Sequence, residues 1–149
     1  MATIRRAYPV GIQSFRDIRV DDYLYIDKTQ FIVKMMEDNS KYIFLSRPRQ
    51  FGKSLFVSTL KYYFEGRKEL FEGLALDDYE KEWTKYPVLH FDMSGAQYTD
   101  KERLLSELNL KLLRYEEIYG KNNEEVSPGQ RFNGLIHRAH KKPVVRWWC

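Results

Sequence analysis

Cysteine is almost missing from this chain. The single thiol, Cys149, is the last of 149 residues. No disulfide can form within the chain, which excludes a disulfide-stapled scaffold and suits a reducing compartment. Long apolar runs are missing too. No stretch approaches the ~18 consecutive apolar residues of a membrane-spanning helix. The opening MATIRRAYPVGIQSF carries arginines with no apolar segment behind them, so it does not read as a secretory leader. There is no internal repeat and no low-complexity tract. These absences predict a cytoplasmic, globular chain with no membrane partner. The 43% hydrophobic, 31% charged and 15% aromatic content agrees, since it gives a core built from Tyr, Phe and Trp. A formal charge of +4 is compatible with polyanions such as nucleotides or nucleic acid. The positive residues are dispersed, however, as on an ordinary solvated surface.

Four apolar segments read as strands. They are Tyr23–Ile26, Tyr42–Leu45, Val88–Phe91 and a start at Pro143–Val145. Between them lie helical patterns. Phe31, Ile32, Met35 and Met36 share one face, with Asp27 or Thr29 as the cap. Leu55, Phe56, Leu60, Tyr63 and Phe64 recur at helical spacing, and Gly66 suits the C-terminal end. Thr99-x-x-Glu102 predicts a capping box ahead of Leu104, Leu105, Leu108, Leu112 and Tyr115, and Gly120 ends that helix. Ser127-Pro128-Gly129-Gln130 repeats the start signal before Phe132, Leu135, Ile136 and Ala139. Residues 67–86 are mixed, with Tyr79 and Trp83 expected to pack as anchors. Strands alternating with helices predict an α/β fold with a mostly parallel sheet.

RPRQFGKS, residues 47–54, sits between an expected buried strand and an amphipathic helix. Gly-Lys-Ser is the end of the phosphate-binding pattern G-x-x-x-x-G-K-[ST]. In such a loop Gly52 lets the backbone approach the anion, and the Lys53 ammonium reaches the outer phosphates. The Ser54 hydroxyl would ligate Mg²⁺. Arg47 occupies the position of the first glycine, and Pro48 removes a backbone donor. Arg47 and Arg49 add cations that partly offset those losses. On the residues alone, a nucleotide site and a surface loop with a chance GKS both stand.

Three segments in order resemble the AAA-ATPase-like proteins found widely in gut and oral bacteria. YPVGIQSFRDIRVDDYLYIDKTQFI (8–32) looks like that family's opening, FLSRPRQFGKSLFVSTL (44–60) like its loop, and YPVLHFDMSGAQY (86–98) like its second strand. An arginine in place of the first glycine is usual there. The resemblance implies a P-loop NTPase-like parallel sheet flanked by helices, here incomplete, across 1–149. It divides into an opening segment (8–40), a P-loop unit (41–66), a second strand with helices (86–142) and an aberrant tail (143–149). It implies ATP and Mg²⁺ as cofactors, nucleotide contacts at Arg47, Arg49, Gly52, Lys53, Ser54 and Leu55, and Mg²⁺ at Ser54. Full-length relatives resemble two-part proteins with a PD-(D/E)XK nuclease-like region after this one. A nucleic-acid-binding module and an inert fragment are therefore the rival readings.

In the resembled family, hydrolysis relies on an apolar strand ending in Asp-Glu-Tyr-Asp. Here the sequence reads Arg146-Trp147-Trp148-Cys149 and no Asp-Glu pair appears. We therefore assign no catalytic residue and expect poor hydrolysis, a sheet missing its fourth and fifth strands, and a marginally stable chain. A frameshift fits the tail, because TGG codons read in another frame give valines; the DNA beyond codon 145 tests this. Other candidates are weaker. Asp92 is expected to satisfy turn amides near Ser94-Gly95. His137-x-x-His140 lacks a third metal ligand, and His90 reads as a core or interface histidine. Asp27-Lys28-Thr29 reads as helix capping. Arg5-Arg6 and Lys141-Lys142 are basic pairs that suit nucleic-acid phosphates or plain solvation.

Overall fold

The computed structural model describes residues 6–39, 42–46, 48, 51–94 and 100–141. It has six α-helices among these: α1 (Phe15–Val20), α2 (Gln30–Glu37), α3 (Lys53–Phe64), α4 (Ala75–Tyr79), α5 (Lys101–Tyr119) and α6 (Pro128–Lys141), with a 3-10 turn at Lys68–Leu70. The chain divides into two compact units, 1–86 and 87–149.

In the first unit, Ser14 starts α1 by accepting from the Asp17 amide (3.3 Å). Phe15 and Ile18 are the buried face of that short helix. The Phe15 amide donates to Ser58 Oγ on α3 (3.0 Å). The Arg19 guanidinium donates to the Leu70 and Glu72 carbonyls (2.8 and 2.7 Å), which ties α1 to the 3-10 turn. The core is mainly aromatic. Phe71 lies 4.8 Å from Phe15 and 5.1 Å from Trp83, and Trp83 lies 5.9 Å from Tyr63, ring centre to ring centre. Ile32, Phe56, Leu70, Leu74 and Leu76 complete it. Rings packed edge-on or tilted at these distances add attraction beyond the area they bury. Trp83 is thus an anchor, as expected, whereas Tyr79 is 46% exposed and is not.

The second unit is a helical hairpin of α5 and α6 with the segment before them. Asp100 caps α5 by accepting from the Arg103 amide (2.7 Å); Thr99, the expected cap, lies outside the described residues. The Ser127–Gln130 capping box forms as the sequence predicts. Ser127 Oγ accepts from the Gln130 amide (3.2 Å), and Gln130 Oε1 accepts from the Ser127 amide (3.0 Å). Leu112, Leu135 and Ala139 are buried between the helices.

The expected parallel α/β sheet is not seen among the described residues. No strand occurs among the described residues, and the architecture is helical. The physical reason lies in pairing. An apolar run becomes a strand only when another extended segment exchanges N–H and C=O bonds with it. Leu24 makes one such bond, to Ala7 O (2.9 Å), and it does not continue into a ladder; the Tyr86 amide bonds instead to Phe64 O at the end of α3 (2.7 Å). Tyr42 and Phe44 are 94% and 92% exposed, and Leu45 packs against the core only in part, so that run is not the buried strand its composition predicts. At His90 a side chain replaces the missing neighbour. The Tyr115 hydroxyl accepts from the His90 amide (2.7 Å) and donates to its carbonyl (2.9 Å). His90 is exposed rather than a core residue. The fourth expected strand, 143–145, and the tail lie outside the described residues.

Candidate functional site

The start of α3 is the place to test for phosphate chemistry. Gly52 is its N-cap and takes φ +72°, ψ 22°, a left-handed conformation that disfavours any residue with a Cβ. Nothing lies within 4 Å of where that Cβ would be. The space over the turn is open, and glycine is needed for the backbone rather than for room. Lys53 and Ser54 follow as the first two residues of the helix, and both are exposed. No side chain caps this end, and its first turn holds no acidic residue. The first amides of an α-helix have no partner inside it, and its dipole favours an anion there. A triphosphate fits these residues: open backbone donors, one lysine, one hydroxyl and no competing carboxylate. Arg47 and Arg49 lie outside the described residues.

A cavity of about 200 Å³ adjoins this turn. Gly52, Leu55 and Phe56 form its wall on the α3 side. Tyr8 and Pro9 come from the opening segment, and Leu24, Tyr25, Ile26 and Lys28 from the stretch before α2. The walls are braced. Gly11 turns the opening segment at φ +76°, the Leu24 amide bonds to Ala7 O, and the Tyr25 ring meets Phe15 edge-on at 5.1 Å. Burial raises the Tyr25 hydroxyl pKa, opposed in part by a hydrogen bond with Thr59. Ile18 of α1 also lines it, so the cavity joins residues from four separate segments, which no local sequence pattern reveals.

Asp27-Lys28-Thr29 caps a helix, but not the one next to it. Asp27 Oδ2 accepts from the Ala75 amide (2.8 Å) and Thr29 Oγ1 from the Leu76 amide (3.1 Å), both at the start of α4. Asp27 Oδ1 meanwhile accepts from the Thr29 amide and hydroxyl (2.8 and 2.7 Å). Burial pushes the Asp27 pKa up, but these donors and the Arg19 charge outweigh it and hold the carboxyl below its ordinary value. Asp92 accepts from the Ser94 hydroxyl and amide (2.6 and 2.9 Å), the local turn the sequence suggests, and those bonds lower its pKa. His137 and His140 are exposed on α6. No group of three or more metal-ligating side chains occurs among the described residues. Arg6 pairs with Asp22 at 2.9 Å, while Arg5 and Lys142 lie outside the described residues. No described helix is long and apolar enough to cross a membrane.

Residues 9–146 match the model of a family described as "Predicted AAA-ATPase". The chain therefore belongs to this AAA-ATPase-like family. A relative from Azotobacter chroococcum mcd 1, named "Uncharacterized protein in vnfD 5'region", is 40% identical over 138 residues. The match covers 91% of this chain and 26% of that relative, so the chain spans about a quarter of the relative's length. No solved structure matches.

Proposed function

We propose that the chain binds ATP at the turn that opens α3. The observation that carries this is Gly52 in the left-handed conformation at an uncapped, acid-free helix start, followed by Lys53 and Ser54. Membership of the AAA-ATPase-like family supports it. Each residue has a role that follows from its chemistry. Gly52 brings the backbone close to the anion, and Lys53 neutralises the outer phosphates. Ser54 supplies a hydroxyl ligand for Mg²⁺, and Leu55 contributes its amide and its apolar side chain. Arg47 and Arg49 add positive charge on the same loop at the level of sequence. Mg²⁺ would supply charge neutralisation between the phosphates.

The test is thermal unfolding with and without Mg·ATP. A ligand at one hundred times its Kd stabilises the folded state by about 2.7 kcal/mol, which raises Tm measurably. Lys53→Ala is expected to abolish that rise while leaving the ligand-free Tm unchanged, because Lys53 is exposed. An identical ATP-dependent shift in the mutant would refute the assignment.

A further inference from the structure

We propose that the run Tyr42–Ser46 pairs with the same run of a second copy of this chain, as two antiparallel strands related by a two-fold axis. Three observations carry this. The first is an alternation of exposure. Tyr42 and Phe44 are 94% and 92% exposed, whereas Ile43 is 50% exposed and Leu45 packs in part against the core. A period of two is the mark of extended chain lying with one face down. The second is the backbone. Among the described residues, no hydrogen bond joins 42–46 to any other segment. Open N–H and C=O groups along such a segment are a template for another strand. Natural edges are blunted by a lysine, a proline or a bulge. Tyr42-Ile43-Phe44-Leu45-Ser46 holds no charge, no proline and no glycine, and its aromatic and β-branched residues suit a pleated surface.

The third observation is area, and it points to a second copy. Antiparallel pairing about a two-fold axis sets one patch against itself, so the chain carries both halves of the interface. Side chains opposite each other in a sheet share a face. Tyr42 and Phe44 of one copy therefore meet the same two rings of the other, and aromatic cross-strand pairs are stabilising. A Tyr or Phe ring buries about 150–250 Å². At the exposures above, these two offer roughly 300–450 Å² per copy, about half of the ~800 Å² per partner in a standard stable complex. The patch thus supports a weak, concentration-dependent pair rather than a permanent dimer. The ladder partner that the run lacks within its own chain is supplied by another molecule.

A concentration series of the full chain tests this, with sedimentation, amide I infrared spectra and hydrogen–deuterium exchange read on the same samples. Mass is expected to rise towards a dimer as concentration rises, with β-sheet absorption growing in step. The 42–46 amides should exchange about tenfold more slowly once about nine-tenths of the chain is paired. Phe44→Lys puts a charge on the pairing strand and is expected to abolish all three changes at the same concentrations. Its Tm should match the wild type, because Phe44 is exposed. A rise in mass without added sheet absorption, or without protection of 42–46, overturns the proposal in favour of apolar contact or another surface. Protection of 42–46 that is independent of concentration overturns it too, by placing the partner within the chain. So does a wild-type chain that is still monomeric at ~1 mM.

Discussion

At the scale of single residues, Asp27 and Thr29 show how a local signal can serve a distant element. The sequence marks them as capping residues, and they are. Their targets, however, are the Ala75 and Leu76 amides, 48 and 47 residues along the chain. Nothing in a local pattern reveals a partner at that separation. Replacing Asp27 by Ala is expected to destabilise the first unit by about 1–2 kcal/mol, the usual loss at a helix cap, read from the urea midpoint. The effect depends on pH with a definite sign. The folded pKa of Asp27 is lowered, so its contribution is complete above the unfolded carboxylate pKa and disappears as pH falls through the folded value. The Asp27→Ala difference should therefore shrink in acid; a constant difference would show that the carboxylate charge is not involved. Gly52 differs, since its left-handed turn lies within a local pattern. The Gly-Lys-Ser pattern is contiguous, and its geometry follows from one backbone angle. The cavity beside it was not legible, because Tyr8, Tyr25 and Leu55 come together only through folding.

At the scale of elements, helices were readable and strands were not. Residues at 3.6-fold spacing announce a buried face, and Ile32, Phe56, Leu112 and Leu135 are buried as that spacing predicts. The short α1 and α4 escaped because six and five residues carry too little period. The apolar run at Tyr42–Leu45 was misread because an apolar run records burial preference and says nothing of a partner. Within the α5–α6 hairpin, the main polar feature is also nonlocal. Arg131 clasps Glu116 through two bonds (2.7 and 2.8 Å) and donates a third to Asn109 Oδ1 (2.6 Å). The two charged side chains are 12% and 3% exposed. The Arg131 hydrogen bonds depress the Glu116 pKa against the opposing effect of burial. Removing one partner of a buried pair leaves the other charge without compensation. Glu116→Leu is expected to destabilise the hairpin by about 3–5 kcal/mol, and the double change Glu116→Leu, Arg131→Met by much less. Denaturant unfolding followed by far-UV circular dichroism distinguishes them. Equal losses in the single and double variants would mean that packing, not charge, dominates there.

At the scale of the whole molecule, the described chain forms two units with separate stabilising devices, an aromatic core in 1–86 and a salt-bridged hairpin in 87–149. Between α2 and α3 the first unit leaves apolar side chains in water: Tyr42, Phe44 and Phe51 are 94%, 92% and 63% exposed. Contiguous exposed apolar residues promote association. The purified chain is expected to bind a hydrophobic dye and to self-associate as its concentration rises. Phe44→Lys should weaken both without lowering Tm, since the side chain packs against little. Light scattering that is unchanged by this substitution would place the association elsewhere.

The tyrosine hydroxyl that grips both backbone groups of His90 has a consequence on the clock of solvent exchange. His90 is exposed in a stretch without helix or strand, between half-buried Leu89 and Phe91, where amides without a ladder partner should trade hydrogen for deuterium quickly. Its own amide, closed by Tyr115, should trade slowly. In Tyr115→Phe that single slow site should become as fast as its neighbours. One proton in the second unit thus reports when a side chain on α5 lets go of the chain beside it.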